Sequence, residues 1–342
     1  MDMPLPPTPP PAPLPPSPPV PSSLRRFFRT WRREIVRGGA LFVVVVAVGL
    51  AVSRARVGFG VPWQVFRGFQ GFDIDFDSDL FGAGRSIGDR WEWRGEVKPG
   101  QQLWVRNTNG PVEVLPGTGN LVEVIGEKSW RHSDRSGVHM MAVPSARGVT
   151  ICAVWAAREA RCGDGGDYHM DGVRRNDLAV RFTVNLPRAV KVDVSTVNGD
   201  VAIGGAGAAV VANTVNGRVR LHTAAGPVKA ASVNGSVEAT LEALAGGDVE
   251  LATVNGQVTA VLPRNLNAVL DATTLNGRVD TDFPLQISGK VSARHVRGTI
   301  GSGGPTLKLN TVNGSIAIRL AGETPPPPPR SPRPPRRPVR PR

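Results

Sequence analysis

The sequence predicts an all-β protein whose C-terminal half is a β-solenoid, a β-helix-like stack of 18–21-residue repeats. One short sequence motif, an Asn-Gly pair preceded by Val, recurs, as in "STVNGDV", "NTVNGRV" and "ATVNGQV". Its glycines follow at a near-constant interval, which is the signature of a stacked repeat. Between Thr183 and Arg342 the single aromatic residue is Phe283, which suits a flat solenoid with an interior too thin for rings.

Each repeat contains two turn signals. The steps between its glycines are 18, 18, 21, 21, 21 and 16 residues, at Gly199, Gly217, Gly235, Gly256, Gly277, Gly298 and Gly314. Gly298 belongs to "HVRGTI", which lacks the Asn. Apolar residues alternate on both sides of Asn-Gly in "VELATVNGQVTAVLP", so each unit is predicted as strand, Asn-Gly turn, strand and second turn.

Two arrangements can use the Asn-Gly pair, whose residues tolerate positive φ. In an antiparallel meander or sandwich it would form hairpins. In a solenoid it would form a corner, with each coil about 4.8 Å from the last and the Asn side chains bonded up the stack. Only the stack explains the same side chain in every coil. The predicted structural turn residues are Asn109, Gly110, Asn198, Gly199, Asn216, Gly217, Asn234, Gly235, Asn255, Gly256, Asn276, Gly277, Asn313 and Gly314.

The part of the chain before the repeats has a different composition. Residues 91–194 are predicted as a β-rich N-terminal part, and five of the seven Trp fall between 91 and 155, enough for an ordinary aromatic core. Residues 195–321 form the Asn-Gly repeat region. Residues 54–90, rich in Gly and Phe, are predicted as a linker.

Both chain ends are excluded from the fold. Residues 1–37 combine a Pro-rich tract with an Arg cluster, and residues 322–342 form a second tail rich in Pro and Arg that is predicted to be disordered. These tails hold most of the net charge of +13, so the folded part is nearly neutral. Because the positive charge lies in the tails, without a nucleic-acid recognition motif beside it, nucleic acid is disfavoured as a partner.

An uncharged apolar run at 38–53 predicts a transmembrane signal-anchor. The Arg cluster before it keeps the N-terminus in the cytoplasm by the positive-inside rule and sends the β domain across the inner, cytoplasmic membrane as a single-pass protein. The alternative is a signal peptide cut near 51–53, which would leave a secreted or periplasmic domain. In that oxidising compartment Cys152 and Cys162 are predicted to form a disulfide.

The words "TVNGDV", "NTVNGRV" and "ATVNGQV", after "VRNTNGPVEV", resemble the bacterial putative-adhesin β-strand-repeat domain family, a family of unknown function. The resemblance covers about residues 95–320. It implies an envelope-facing, noncatalytic β-repeat domain.

The residues themselves indicate no enzyme and no cofactor or metal. The five His lack metal-ligand spacing, no nucleophile elbow or phosphate loop occurs, and the repeat carboxylates do not recur at one repeat position. The predicted function is an adhesin-like binding module for an envelope glycan, an anionic polymer or a protein. The alternatives are a self-associating envelope scaffold and the ectodomain of an envelope signalling protein.

The C-terminal tail is predicted to bind anionic surfaces through Arg330, Arg333, Arg336, Arg337, Arg340 and Arg342. Proline keeps the tail extended, and each Arg near an anionic surface contributes up to about 1 kcal/mol, which salt weakens. Anionic vesicles should therefore bind the full chain more tightly than a chain ending at Gly322, at low salt only. Equal binding of both chains, or binding that salt does not change, would remove this role.

Overall fold

The computed structural model describes residues 86–157, 159–171, 177–223, 226–244, 247–287 and 292–322. The predicted tail at 1–37, the apolar run at 38–53, residues 54–85 and the six tail arginines lie outside them. Within this described part, no helix is long and apolar enough to cross a membrane.

The described residues form strands and two short 3₁₀ turns, at Arg135–Gly137 and Asp164–Gly166. The strands are β1 (Ser86–Glu96), β2 (Gln102–Arg106), β3 (Val112–Pro116), β4 (Leu121–Trp130), β5 (Val138–Ser145), β6 (Gly148–Trp155), β7 (Glu159–Cys162), β8 (Tyr168–Asp171), β9 (Ala179–Leu186), β10 (Lys191–Ser195), β11 (Val201–Ala206), β12 (Val210–Asn216), β13 (Val219–Thr223), β14 (Val228–Asn234), β15 (Val237–Leu241), β16 (Val249–Asn255), β17 (Val258–Leu262), β18 (Ala268–Asn276), β19 (Val279–Thr281), β20 (Gln286–Ile287), β21 (His295–Ile300), β22 (Thr306–Asn313) and β23 (Ile316–Leu320). Because β1 begins at Ser86, the predicted linker at 54–90 is wrong over its last five residues.

Two large sheets enclose one core. Sheet A has the order β1-β4-β9-β3-β11-β13-β15-β17-β23-β19, and sheet B has the order β20-β21-β18-β22-β16-β14-β12-β10-β2-β6-β5. A coil is one strand of sheet B, a corner and one strand of sheet A. Neighbouring coils pair in parallel, as β12 does with β14 and β13 with β15. This confirms the predicted β-solenoid, because a meander would alternate strand direction. The solenoid also includes β2 and β3, so no architectural boundary separates 91–194 from 195–321.

Aliphatic side chains in register fill the core. In the middle of sheet B one register position holds Val210, Val228, Val249 and Leu307, and in sheet A one holds Val219, Val237, Val258 and Ile316, each at most 1% exposed. Bulky rings lie toward one end, where Trp155 and Phe182 are buried in β6 and β9. The aliphatic middle agrees with the scarcity of aromatic residues in the repeats.

The coils do not stack in sequence order. The coil of β22 and β23 lies between the coil of β16 and β17 and the coil of β18 and β19. At the other end, β2 lies between β6 and β10, and β3 lies between β9 and β11. The expectation that each coil stacks on the last is therefore wrong at both ends. The exchange leaves the outermost coils covered by antiparallel strands, β21 on β18, β5 on β6 and β4 on β9.

The antiparallel strands close the solenoid ends. Gly298, which the period assigns to a coil, lies in β21 instead and is outside the Asn row. The edge of sheet B is β5, which contains Pro144, and its other edge is the two-residue β20. Sheet A ends in the three-residue β19 and in β1, whose pairing with β4 is interrupted by a bulge. Short strands, proline and bulges are the features that prevent edge-to-edge association.

A ladder of asparagine amides runs along the corners between the sheets. In stack order, each Nδ2 donates to the Oδ1 of the previous asparagine at 2.8–2.9 Å, through Asn198, Asn216, Asn234, Asn255, Asn313 and Asn276. Asn109 continues the row by a backbone bridge to Asn198, but its amide donates to the carbonyl of Leu178 at 2.7 Å. The recurring asparagine is thus a hydrogen-bonding element between coils.

The Thr or Ser two residues before each asparagine forms a second ladder. Its hydroxyl donates to the glycine carbonyl of the neighbouring coil at 2.7–3.2 Å, in the pairs Thr196–Gly110, Thr214–Gly199, Ser232–Gly217, Thr253–Gly235, Thr311–Gly256 and Thr274–Gly314. These hydroxyls are buried, so the bonds satisfy polar groups that would otherwise be costly inside the corner.

Glycine in the repeat is required mainly by close backbone approach. A Cβ on Gly256 would overlap the carbonyl oxygen of Gly235 in the next coil, and one on Gly217 would overlap that of Gly199. Positive φ, the reason expected from the sequence, applies to Gly110, Gly199 and Gly314 but not to Gly217, Gly235, Gly256 or Gly277. It does not apply to the ladder asparagines either, since Asp89 is the one non-glycine with positive φ among the described residues.

An insertion replaces the Asn-Gly corner between β6 and β9. It holds the β7–β8 hairpin, and a disulfide joins Cys152 in β6 to Cys162 in β7 with Cα atoms 6.1 Å apart. On the chain-entropy model, a loop of this size stabilises the fold by about 2–3 kcal/mol. The hairpin packs back on the sheet, where the buried Tyr168 hydroxyl donates to the carbonyl of Ala153 at 2.7 Å.

Two charged groups fix the insertion. The buried Arg106 guanidinium donates to the carbonyl of Gly166 at 3.1 Å and pairs with Asp193 at 2.8 Å. Asp177 accepts from the backbone N–H groups of 131, 132 and 133 at 2.9–3.0 Å. Burial raises the pKa of Asp177, but the hydrogen bonds from Ser133 and from these N–H groups outweigh it, so this pKa lies well below its ordinary value.

The glycine contact generates a stability prediction. Gly256→Val should lower the free energy of unfolding by about 1–3 kcal/mol, because the two coils must separate to admit the side chain. The matched control is Gly204→Ala in β11, where the new Cβ would meet its nearest atom at 3.7 Å. Chemical denaturation of the two variants measures the difference. An unchanged midpoint for Gly256→Val would contradict the close-approach role.

Candidate functional site

The outer face of sheet A carries a groove of about 320 Å³. Its floor is β11, whose outward residues are the small Ala202 and Gly204. One wall is β3, with Glu113 and the half-exposed Leu115, and the other wall is β13, with Arg220 and His222. Because side chains alternate between the faces of a strand, these residues point away from the core that Val201, Ile203 and Leu221 enter.

Small residues between larger ones create the groove. Ala202 is in register with Glu113 on one side and with Arg220 on the other. The walls are therefore two strand spacings apart, about 10 Å. At Gly204 a Cβ would meet only the carbonyl oxygen of Val114, at 3.7 Å, so the floor is open above this glycine.

The groove has a mixed but mainly acidic rim. Arg220 lies 3.8 Å from Asp200, and His222 lies 3.7 Å from Glu242. All four side chains are roughly half exposed, and pairs of this kind contribute little to stability because water screens them. Within the described part of the chain, Glu113 and Glu238 form no ion pair, and both are exposed.

The two groove carboxylates that form no ion pair among the described residues lie far apart. Glu113 and Glu238 are three strands apart, about 14 Å, whereas paired catalytic carboxylates of glycosidases lie within about 5–9.5 Å. Over the described ranges, no cluster of three His, Cys, Asp or Glu side chains could hold a metal ion. What the groove offers is a narrow apolar floor with carboxylates, a guanidinium and an imidazole able to hydrogen-bond a polar ligand.

The residues singled out from the sequence lie elsewhere. The Asn-Gly pairs form the corners between the sheets, and the disulfide belongs to the insertion. Two acids of the insertion form surface ion pairs, Asp164 with Arg147 at 3.4 Å and Asp167 with Arg161 at 3.6 Å. Sequence reasoning missed the groove. Its one signal is "VAIGG", where small residues occupy the outward positions of a strand whose neighbours carry large polar ones.

Comparison with protein families agrees with the architecture. The model of the Toastrack DUF4097 family matches residues 162–319, from the insertion to β23. No curated protein matches the chain in sequence.

Several solved structures are similar at low identity. A putative cell adhesion protein from Clostridium sporogenes is 10% identical, with 68% of this chain and 100% of that chain covered and a TM-score of 0.39. A putative adhesin from Bacteroides fragilis is 12% identical, with 68% and 97% covered and a TM-score of 0.32. A putative lipid binding protein from Parabacteroides distasonis is 10% identical, with 67% and 96% covered and a TM-score of 0.24.

The repeated motif and the stacked coils that it builds agree with this family match: residues 162–319 are similar to the Toastrack DUF4097 family, which supports a bacterial putative-adhesin β-repeat family of unknown function.

Proposed function

We propose that the protein is a noncatalytic, adhesin-like binding module that holds an extracellular ligand on the outer face of sheet A. The observation that carries the proposal is the groove over Ala202 and Gly204. It is concave, it is bordered by side chains of opposite charge, and it lies on a sheet whose parallel coils hold it rigid. Rigid floors with a few convergent polar groups are typical of ligand sites.

The chemistry of the groove favours a glycan or a protein segment as the ligand. The hydroxyls of a sugar can donate to Glu113 and accept from Arg220 while its C–H groups lie on Ala202 and Gly204. A basic or amide-rich peptide could use the same carboxylates. An anionic polymer suits this face less well, because Asp200, Glu113, Glu238 and Glu242 outnumber the single guanidinium of Arg220. The anionic polymer remains a proposed partner of the Arg-rich tail.

The closed ends of the solenoid argue against the alternative of a self-associating scaffold. End-to-end stacking would need long exposed parallel edges, whereas the described ends have short, bulged or proline-containing strands.

Because the ends of the solenoid are closed in this way, we expect a single copy of the protein in solution. Sedimentation over a hundredfold concentration range should give one mass, and growth in mass with concentration would favour the scaffold.

Filling the groove tests the binding function. Gly204→Leu should weaken capture of isolated envelope glycans and envelope proteins by at least tenfold, because the new side chain occupies the floor without touching the core. The matched control, Thr259→Leu, places the same side chain outward on β17, outside the groove. Both variants should unfold at nearly the same denaturant concentration. Equal capture by Gly204→Leu and by the unchanged chain would remove the groove as the binding site.

We also propose that residues 38–53 anchor the protein in the cytoplasmic membrane, with the β domain on the extracytoplasmic side. The run of apolar residues after an Arg cluster supports this topology, and the disulfide is compatible with an oxidising compartment. Two results would support the anchor: retention of the full chain in membranes after an alkaline wash, and cleavage of its β domain by protease added outside. A soluble product beginning near residue 53 would instead establish signal-peptide cleavage.

A further inference from the structure

We infer that the C-terminal Arg/Pro tail, residues 323–342, docks back onto the groove of sheet A in the same molecule. The inference concerns which segment of the chain occupies the groove before an external ligand binds there. It rests on three observations: the acidic rim of the groove, the point where the described chain ends, and the composition of the tail.

The charge of the groove complements that of the tail. Glu113, Glu238 and Glu242 are exposed, and Asp200 is half-buried beside them. Arg220 is the one fixed cation among the residues that line the groove. The lining therefore has an excess of one negative charge when His222 is counted as neutral, and Asp200 and Glu242, the ion-pair partners of Arg220 and His222, add two acids at its border. The tail carries six Arg and the single acid Glu323, an excess of five positive charges.

The described chain ends on the same sheet as the groove. β23 lies in sheet A, four strand positions from β11, which is about 19 Å. Its last turn is fixed by the N–H of Ala321, which donates to the carbonyl of Leu262 at 2.8 Å. Since the strands from β11 to β23 are parallel, the chain leaves at the edge of the sheet toward which Gly204, His222 and Thr240 lie.

The tail is long enough and has a suitable form. Twenty residues in polyproline II conformation span about 62 Å, three times the distance to the groove. This conformation has three residues per turn, so a tail that adopts it would present Arg330, Arg333 and Arg336 on one side at spacings of about 9 Å. Proline rings can then lie on the Ala202 and Gly204 floor while the guanidinium groups reach the carboxylates. Proline also lowers the entropy lost when the tail is ordered.

Covalent attachment makes weak contacts sufficient. Each exposed ion pair is weak, but a tethered segment experiences an effective concentration in the millimolar range.

The test uses a fluorescent peptide of residues 323–342 and fluorescence anisotropy at low salt. The chain ending at Gly322 should bind the peptide, and the full chain should bind it about tenfold more weakly, because its own tail competes. In the chain ending at Gly322, the pair Glu113→Gln and Glu238→Gln should weaken binding roughly two- to thirtyfold, as expected for two exposed ion pairs.

The matched control is the pair Glu96→Gln and Glu159→Gln, two exposed acids outside the groove, which changes the net charge equally. This pair should bind the peptide like the unchanged sequence. Equal losses for both pairs would mean attraction by net charge alone, and equal binding by the full and shortened chains would mean an unoccupied groove. Either result overturns the inference. So does a difference between the chains that disappears on dilution, because the tail would then occupy the groove of a second copy.

Discussion

The contact between neighbouring coils at the Asn-Gly corner is the constraint on which the rest of the structure depends. There the backbones approach until a carbonyl oxygen occupies the space of a missing Cβ, as Gly235 does beside Gly256. The asparagine amide and the Thr or Ser hydroxyl then bond across the gap, for example Asn255 to Asn234 and Thr253 to Gly235. Each bond contributes only about 0.5–1.5 kcal/mol net, but every coil repeats it and it fixes the register of both sheets. A slip by one residue would turn the aliphatic core outward.

The sequence predicts this architecture because the repeated word encodes the corner directly. Asparagine, glycine and a hydroxyl residue recur at fixed spacing, and the stack gives each of them a role. The order of the coils could not be predicted, because "TTLNGRV" and "NTVNGSI" are equivalent words that fit either place beside Asn255. Loop closure does not enforce sequence order. The connection between stacked asparagines is 18 residues long from Asn198 to Asn216 and 58 residues long from Asn255 to Asn313. The longer connection costs only about 1 kcal/mol more in loop-closure entropy. Covering the last coil with β21 can offset a cost of that size.

The groove was less accessible to sequence reasoning for a related reason. It exists because Ala202 and Gly204 lie between Glu113 on β3 and Arg220 on β13, and Glu113 is distant from them in sequence. Only the three-dimensional register brings those side chains together. The stack supplies a rigid face, and departures from the repeat on that face supply its chemistry. Function is therefore expected where the outward residues differ from coil to coil, while the corners preserve the fold.

A pair of double-mutant cycles on the asparagine ladder tests this structure most directly. Asn255→Ala is combined with Asn313→Ala, its neighbour in the stack, and separately with Asn276→Ala, which is closer in sequence but one coil further away. Denaturation should show a coupling energy of about 0.5–1.5 kcal/mol for the first pair and less than about 0.5 kcal/mol for the second. Coupling of Asn255 to Asn276 without coupling to Asn313 would contradict the stack order, and no coupling in either cycle would contradict the ladder.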